Sequence, residues 1–230
     1  MATIAANLQA VKGRIRDAAR VAGRDPLAVS LLAVSKAWPA SAVREAREAG
    51  QCAFGENYAQ EGAEKVRQLA AQGIEWHFIG PMQSNKTSLI AEHFDWVHSI
   101  DRLKIAERLA AARAGKPPLN LCLQVNVSGE ASKGGVAPAE VAALARAVAA
   151  LPNLRLRGLM AIPAPALDHA AQRRPFGALR EMLEQLVRQE GFALDTLSMG
   201  MSADLEAAVA EGATIVRIGT AIFGERSRGD

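Results

Sequence analysis

The sequence predicts an α/β fold, a single (β/α)8 TIM barrel with an additional N-terminal helix, and three observations lead to it. Half of the 230 residues are hydrophobic but only 4% are aromatic, which favours helices packed on aliphatic strands over a β-sandwich. Eight short β-prone runs alternate with longer runs of helical period, roughly 29 residues per unit. The alternative is an open doubly wound sheet, but no G-x-G-x-x-G sequence follows the first strand.

The predicted elements follow one another along the chain. A helix over Ile4–Val21 is expected to pack outside the barrel. The predicted strands are Ser30–Lys36, Cys52–Glu56, Glu75–Gly80, Trp96–Ile100, Asn120–Val127, Leu156–Ile162, Thr196–Gly200 and Ile215–Gly219. The predicted helices are Ser41–Ala49, Tyr58–Ala71, Ser84–Glu92, Leu103–Ala114, Ala139–Ala149, Phe176–Glu190 and Ala203–Ala210. No Pro/Ser-rich linker divides the sequence, so residues 1–230 are expected to form one domain.

Charge and cysteine content narrow the class of protein. The 27 Lys and Arg residues against 24 Asp and Glu give a net charge of +3, but the charges are dispersed and predict no nucleic-acid groove. Met1–Ala22 lacks the apolar core of a signal peptide, and no apolar run is long enough to span a membrane. Cys52 and Cys122 are expected to be buried free thiols, which indicates a reducing cytoplasm. The histidines show no ligand spacing, so no metal site is predicted.

Polar and glycine residues collect where the predicted strands end. In a (β/α)8 barrel these ends meet at one rim, where functional side chains gather. The residues in question are Lys36, Glu56, Asn57, Gly80, Asn126, Ser198, Gly200, Ser202, Arg217, Gly219 and Thr220.

Lys36 is the sharpest single feature of this rim. By strand alternation it shares a face with Leu32 and Val34, which would place its ammonium group at the top of an apolar wall. Desolvation there would lower the pKa of the amine and free it for attack on a carbonyl carbon. The alternative is a lysine that simply leaves the strand for solvent.

Two small-residue turns indicate a phosphate site. The run Ser198–Ser202 leads into a predicted helix, whose free N–H groups favour an anion. The last strand ends in Arg217–Thr220, and barrels of this class often bind phosphate beyond strands seven and eight. Asp204 and Glu206 would then have to point away. The alternative is a pair of ordinary tight turns.

Arg217 and His77 are each open to two interpretations. Arg217 shares a face with Ile215 and Gly219, so it could pair with a phosphate or a ligand ring nitrogen, or it could form a buried structural ion pair. His77 lies inside a predicted strand, and a packed core histidine is favoured over a role in proton transfer.

Six stretches of sequence resemble one family over nearly the whole length. They are LLAVSK (31–36), FGENYAQE (54–61), WHFIGPMQSNK (76–86), QVNVSGEASKGG (124–135), RGLMAIP (157–163) and LSMGMSADLEAAVAEGATIVRIGTAIFG (197–224). On these residues the chain resembles the pyridoxal phosphate homeostasis proteins, which bind pyridoxal 5'-phosphate (PLP) in a single barrel. That family is similar to the barrel domain of alanine racemase and related decarboxylases, the fold type III of PLP proteins.

The resemblance assigns roles to the residues at the rim. It implies a Schiff base between Lys36 and PLP, a side-chain contact from Asn57 and an arginine, Arg217, on the pyridine nitrogen. Ser202, Gly219 and Thr220 resemble the phosphate contacts, with Ser198 and Gly200 shaping the turn. The chain departs from the many relatives that read SKTxP, because here the run is S35-K-A-W-P39. The change removes a hydroxyl near the cofactor and leaves the lysine in place.

Two functions follow from the resemblance. The favoured one is a non-catalytic PLP carrier, a monomer or weak dimer that buffers PLP or delivers it to apo-enzymes. The alternative is a PLP-dependent racemase or decarboxylase of weak activity. Racemase-type enzymes carry an additional β-domain, and we expect none here because the sequence stops at Asp230, shortly after the last predicted strand. A barrel aldolase that uses Lys36 without PLP is a third possibility.

Overall fold

Eight parallel strands pair in sequence order, and the last pairs with the first to close a barrel. The structure, a computed structural model, describes residues 3–130 and 134–225. The strands are β1 Ser30–Val34, β2 Ala53–Glu56, β3 Glu75–Phe78, β4 Trp96–Ile100, β5 Leu119–Gln124, β6 Leu154–Met160, β7 Thr196–Ser198 and β8 Ile215–Ile218. The helices are α1 Ile4–Val21, α2 Ala40–Glu48, α3 Ala59–Gln68, α4 Thr87–His93, α5 Leu103–Ala112, α6 Val141–Ala149, α7 His169–Glu190, α8 Leu205–Ala210 and α9 Thr220–Phe223. The predicted barrel is confirmed.

The N-terminal helix α1 lies outside the barrel, as predicted, with the predicted bounds. The hydroxyl of Thr3 accepts a hydrogen bond from the backbone N–H of Ala6 and caps its first turn. Leu8, Val11 and Ile15 are buried at helical spacing. This apolar stripe packs against α8 and α9, the helices on either side of the last strand.

Each predicted strand overlaps an observed one, but β5 and β6 begin one and two residues earlier than predicted, and several strands end sooner. β1 ends at Val34 rather than at Lys36, because the backbone N–H of Trp38 donates to the carbonyl oxygen of Ser35 and closes a turn. Ala37 within this turn has a left-handed φ of 61°. Lys36 therefore lies on a constrained turn above the strand, not in the strand itself.

One predicted helix starts seven residues too late, five others start one to three residues from the observed position, and one helix was not predicted. The helix predicted from Phe176 begins at His169, because the carboxylate of Asp168 accepts the N–H of Ala171 and caps the earlier turn. The helix predicted from Ala203 begins at Leu205. The short α9 follows directly after β8, where the sequence analysis placed only a turn.

The cysteine prediction is half right. Cys122 is buried on β5, and burial raises the pKa of its thiol to about 12. The prediction for Cys52 was wrong, because its side chain is exposed. It lies just before β2, where the chain enters the strand from outside the barrel.

Residues 3–130 and 134–225 contain neither a membrane-spanning helix nor a cluster of metal-binding side chains. None of the helices there is long and apolar enough to cross a membrane. Within the same ranges no group of three or more His, Cys, Asp and Glu side chains is placed to hold a metal ion.

The first prediction concerns Gly80, which follows β3 beside the rim. A Cβ atom at this position would overlap the backbone carbonyl oxygen of Asn57. We expect Gly80→Ala to lower the free energy of unfolding by about 2–3 kcal/mol, because backbone atoms cannot move aside as a side chain can. Urea unfolding measures the change.

Gly13→Ala is the matched control, since a Cβ there meets only the end of the Arg16 side chain at 3.9 Å. It lies within α1, where alanine should raise the free energy of unfolding by about 0.5–1 kcal/mol. Equal effects of the two substitutions would contradict the proposed clash.

Candidate functional site

A cavity of about 360 Å³ opens at the C-terminal ends of the strands. This volume lies in the range of small-molecule sites in proteins. Of the predicted binding residues, those that line it are Lys36, Asn57, Ser202, Arg217, Gly219 and Thr220. Residues from β1, β2, β7 and β8 thus meet at one place, as the rim of a barrel requires.

Lys36 reaches the cavity from the turn after β1. Val34 and Trp38 line the cavity beside it. Trp38 stacks on Phe223 of α9 with the ring centroids 5.8 Å apart, so this wall is apolar. The lysine is half-buried, in keeping with the expected position at the top of an apolar wall.

A largely buried group of polar and charged side chains fixes the backbone on both sides of Lys36. We call it the Lys65 cluster; it comprises Ser35, Glu56, Glu61 and Lys65. The Lys65 ammonium donates to the carbonyl oxygen of Ser35 at 2.7 Å and to the carboxylates of Glu56 at 2.8 Å and Glu61 at 2.6 Å. Glu61 also accepts the backbone N–H of Ala37 at 2.6 Å. The backbone before and after the lysine is therefore tied to α3.

Glu56 is the most deeply buried member of the Lys65 cluster. It accepts a hydrogen bond from the Ser35 hydroxyl at 2.6 Å, while its second oxygen is buried without a hydrogen-bond partner among the described residues. Burial raises the pKa of its carboxyl group, and the nearby Lys65 ammonium opposes the change. The sequence analysis placed Glu56 at the rim but missed its partner, Lys65. The available signal was the position of Lys65 on the helix face that otherwise carries only alanine and glycine.

Arg217 lies at the floor of the cavity and is only 4% exposed. Its terminal nitrogens donate to the carbonyl oxygen of Ser198 at 2.6 Å, the Ser198 hydroxyl at 2.8 Å and the carbonyl oxygen of Ala161 at 2.9 Å. Neutral acceptors rather than a carboxylate hold the guanidinium, so it is not the buried ion pair that the sequence left open. Burial lowers the pKa of Arg217 to about 10. These bonds leave N–H donors for a ligand, since a guanidinium has five.

Ser198 and Gly200 were predicted to belong to the binding residues, but neither lines the cavity. Ser198 is fully buried beneath it and bonds to Arg217. Gly200 has a φ of 93°, and a Cβ there would come within 2.5 Å of the Cβ of Ala208. Both residues support the site from below, because one fixes Arg217 and the other allows the chain to turn against α8.

Asn57 carries an unsatisfied polar atom at the cavity. Its side-chain oxygen Oδ1 is buried and has no hydrogen-bond partner among the described residues. A buried acceptor without a partner destabilises the protein by about 1–3 kcal/mol, so its presence indicates a ligand donor or a water at this point. The cavity also presents the primary amine of Lys36, the guanidinium of Arg217 and the hydroxyls of Ser202 and Thr220. These groups, with the acceptor oxygen of Asn57, fit an anionic ligand that carries a carbonyl group.

The acidic residues that follow the Ser198–Ser202 turn are directed elsewhere, as the phosphate interpretation requires. Asp204 accepts the backbone N–H of Met201 at 2.6 Å. Glu206 pairs with Arg14 of α1 at 2.8 Å. Neither carboxylate lines the cavity.

His77 is buried, as expected of a core histidine, but it is also hydrogen-bonded on both sides. Its Nε2 lies 2.8 Å from the carboxylate of Glu75, and its Nδ1 lies 2.9 Å from Nε2 of His98. The sequence analysis did not foresee this pair, because the two histidines lie on different strands.

The second prediction tests the Lys65 cluster. Lys65→Met removes the cation that compensates Glu56, and we expect a loss of about 3–5 kcal/mol in the free energy of unfolding. The double variant Lys65→Met/Glu56→Gln should recover part of that loss, because the fully buried carboxylate is removed and the remaining one, of Glu61, is partly exposed to solvent. Urea unfolding of the variants measures both effects, and a loss below about 1 kcal/mol in the single variant would contradict a compensating role.

Comparison with known proteins places the fold and cavity in a family. Residues 6–227 match the family described as the alanine racemase N-terminal domain. A pyridoxal phosphate homeostasis protein of Pseudomonas aeruginosa is 64% identical over 230 residues, which are 100% of this chain and 98% of that protein. The protein of the same name from Escherichia coli K12 is 55% identical over 232 residues, 98% of each.

A solved structure agrees with these relatives. PipY of Synechococcus elongatus, solved with PLP bound, is 40% identical with a TM-score of 0.80, over 91% of this chain and 100% of PipY. Of the stretches on which the resemblance rests, only part of 124–135 lies outside the described residues. The chain therefore belongs to the alanine racemase N-terminal domain family and, within it, to the pyridoxal phosphate homeostasis proteins.

Proposed function

We propose that this protein binds PLP as a Schiff base on Lys36 and holds it for buffering or delivery in PLP homeostasis, without catalytic turnover. One observation carries the proposal: a single cavity brings the Lys36 amine together with Arg217 and the unsatisfied oxygen of Asn57. The PLP bound to PipY and the names of the close relatives support the same ligand.

Lys36 supplies the covalent bond. PLP would supply an aldehyde, with which a neutral lysine amine condenses as water leaves. Val34 and Trp38 form an apolar wall beside the amine. The Lys65 cluster fixes the turn that carries the lysine, so little backbone freedom is left to lose when the bond forms.

Ser202, Gly219 and Thr220 are proposed as the phosphate contacts. Ser202 and Thr220 carry hydroxyl donors. Ser202 lies on the loop after β7, Gly219 follows β8, and Thr220 begins α9; all three line the cavity. Phosphate commonly binds at this position in (β/α)8 barrels. Asn57 lines the cavity from the loop after β2, where its oxygen would accept a donor of the bound cofactor.

Arg217 is proposed to contact the pyridine nitrogen. It lies deeper than the phosphate loops and is held rigidly by Ser198 and Ala161, so it suits the ring rather than the more exposed phosphate. An arginine at the ring nitrogen leaves that nitrogen unprotonated, whereas a carboxylate would keep it protonated and make the ring a strong electron sink. The arginine therefore favours storage over strong activation of a substrate.

The lining of the cavity favours a carrier over a racemase. Among its described residues, Lys36 and Arg217 are the ionisable side chains. Racemisation by two bases needs a second proton-transfer group on the far side of the ring, and the hydroxyl, amide and apolar side chains around the cavity offer none. The rim residues Ile162 and Met201 are exposed, and the open mouth that they border suits exchange of the cofactor with apo-enzymes. A cytoplasmic location and a monomeric or weakly dimeric state stay predictions.

The third prediction tests the covalent bond. After incubation with PLP the protein should be yellow, and Lys36→Ala and Lys36→Arg should abolish the Schiff-base band, because neither side chain offers a primary amine. Absorption spectra before and after borohydride reduction, with the modified peptide identified by mass, measure the bond.

Lys104→Ala is the control for this experiment, since Lys104 is exposed on α5 away from the cavity. A colourless wild-type protein would overturn the proposed cofactor. Condensation of Lys36 with a carbonyl substrate in the absence of PLP would instead support the aldolase alternative.

The fourth prediction separates carrier from enzyme. PLP-loaded protein incubated with amino acids in deuterium oxide should exchange α-protons far more slowly than an enzyme does, because the cavity lacks a second acid or base. Nuclear magnetic resonance of the amino acids follows the exchange. Turnover on the order of 1 per second or faster would contradict the carrier and support a racemase or decarboxylase.

A further inference from the structure

Five side chains form a continuous hydrogen-bonded column through the inside of the barrel. We call Glu75, His77, His98, Ser198 and Arg217 the histidine column. Glu75 lies 2.8 Å from His77, His77 lies 2.9 Å from His98, His98 lies 2.7 Å from the Ser198 hydroxyl, and that hydroxyl lies 2.8 Å from Arg217. The column contains residues of β3, β4, β7 and β8, and therefore crosses the interior.

The two ends of the column lie at opposite faces of the barrel. Glu75 lines a second cavity of about 420 Å³ that is also lined by Ser30 and Asp195, residues at or just before the starts of their strands. Arg217 lines the proposed PLP cavity at the other end. His98 and Ser198 are completely buried between them. Branched apolar side chains usually fill the interior of such barrels. A continuous path of polar side chains is therefore unusual and indicates a specific role.

The direction of every hydrogen bond follows from the two ends. A guanidinium can only donate, so Ser198 Oγ accepts from Arg217, and an ionised Glu75 can only accept, so His77 Nε2 carries a proton. With both histidines neutral, His77 Nδ1 then accepts from His98 Nε2, and His98 Nδ1 accepts from the Ser198 hydroxyl. All four links are satisfied with one orientation, from Arg217 down to Glu75.

The electrostatics agree with this assignment. Burial, then His77 and then Arg217 hold the pKa of His98 well below its usual value, so its ring is neutral at pH 7. The hydrogen bond from His77 is the main cause of a lowered pKa for Glu75, which is therefore ionised. Arg157 adds a weaker favourable charge beside Glu75.

Four other titratable side chains lie near the two ends of the column. Arg157 itself pairs with Asp195 at 2.6 Å. At the upper end Asp204 and Cys122 interact with Arg217, and the raised pKa of the buried Cys122 thiol keeps it neutral at pH 7. Glu75, whose side chain is half exposed, is therefore the end of the column that meets solvent at the lower face.

A proton gained at His77 reverses the column. A doubly protonated His77 donates from Nδ1 to His98 Nε2, so His98 must carry its own proton on Nδ1 and donate to Ser198. The serine hydroxyl proton then loses its acceptor, and a positive charge lies two side chains from Arg217. One protonation event at the lower end thus changes the hydrogen bonding of the arginine at the upper end.

We propose that Glu75, His77, His98 and Ser198 are positioning residues that orient Arg217 and transmit the acid–base state of the N-terminal face of the barrel to the PLP cavity. The transmission to PLP rests on the proposed function, whereas the orientation of the column does not. The two parts are therefore tested separately.

The first experiment uses the protein without PLP. The chain has four histidines, so ¹⁵N labelling of histidine gives four ring spin systems, with His93 and His169 outside the column as internal references. At pH 7.5 His77 and His98 should both be neutral with the proton on Nε2. An Nδ1-protonated tautomer or a charged ring at His98 would overturn the proposed column whether or not PLP binds.

The second experiment follows the column from its far end in PLP-loaded protein. Glu75→Gln keeps an acceptor for His77 but removes the negative charge that polarises the column, so Ser198 becomes a weaker acceptor for Arg217. The guanidinium then keeps more of its positive charge for the cofactor, which favours the unprotonated Schiff base. We expect the pH midpoint of the Schiff-base band to fall by about 0.3 pH unit or more. The His77 and His98 ring signals should shift in the same variant.

Asp195→Asn is the matched control, because Asp195 lines the same lower cavity and loses the same charge outside the column. Asp195→Asn should shift the midpoint by less than half as much as Glu75→Gln. Equal shifts would mean that the charge acts through space rather than through the column, and would overturn the proposed transmission. Ser198→Ala should uncouple the midpoint from the charge at Glu75, and Ser198→Thr should restore the coupling. Failure of the wild type to bind PLP would refute the proposed function and leave the tautomer result to decide the column.

Discussion

The pairing of β1 with β8 closes the barrel and sets Leu32 of the first strand beside Arg217 of the last. This register places the turn that carries Lys36 next to the loop that carries Gly219 and Thr220. Because all eight strands are parallel, the remaining polar residues of the site reach the same rim at their own strand ends. Opening the β1–β8 ladder would separate the amine from the guanidinium and abolish the cavity between them.

Two buried polar groups then fix the side chains that the closed barrel brings together. The Lys65 cluster lies behind β1 and β2 and holds the turn on both sides of Lys36, while the histidine column lies inside the barrel and holds Arg217. Buried polar groups destabilise a protein unless their hydrogen bonds are satisfied, so each group must be nearly complete in itself. The unsatisfied oxygen of Asn57 is different, because it faces the cavity and has a ligand as its natural partner.

The proposed role as a PLP carrier, rather than an enzyme, draws on this arrangement. Rigid positioning of Lys36 and Arg217 favours a stable covalent complex, because little conformational freedom is lost on binding. Lys36 and Arg217 are the ionisable side chains among the described residues that line the cavity. The lining therefore provides no further group for proton transfer. Stable binding and weak chemistry are the combination that storage of PLP requires.

The sequence by itself determined the order of strands and helices, the barrel and most of the residues around the cavity, because hydrophobic periodicity and strand-end position are local properties. Lys36, Ser202, Gly219 and Thr220 could be placed at the rim on that basis alone. It did not determine that β1 ends before Lys36, that Ser198 lies beneath the cavity, or that Cys52 is exposed. The sequence also did not predict the hydrogen bonds of Lys65 with Glu56 and of His98 with Ser198, because the two residues of each pair lie on different helices or strands. Only closure of the barrel decides which side chains meet in its interior, because the register between strands far apart in sequence sets those distances.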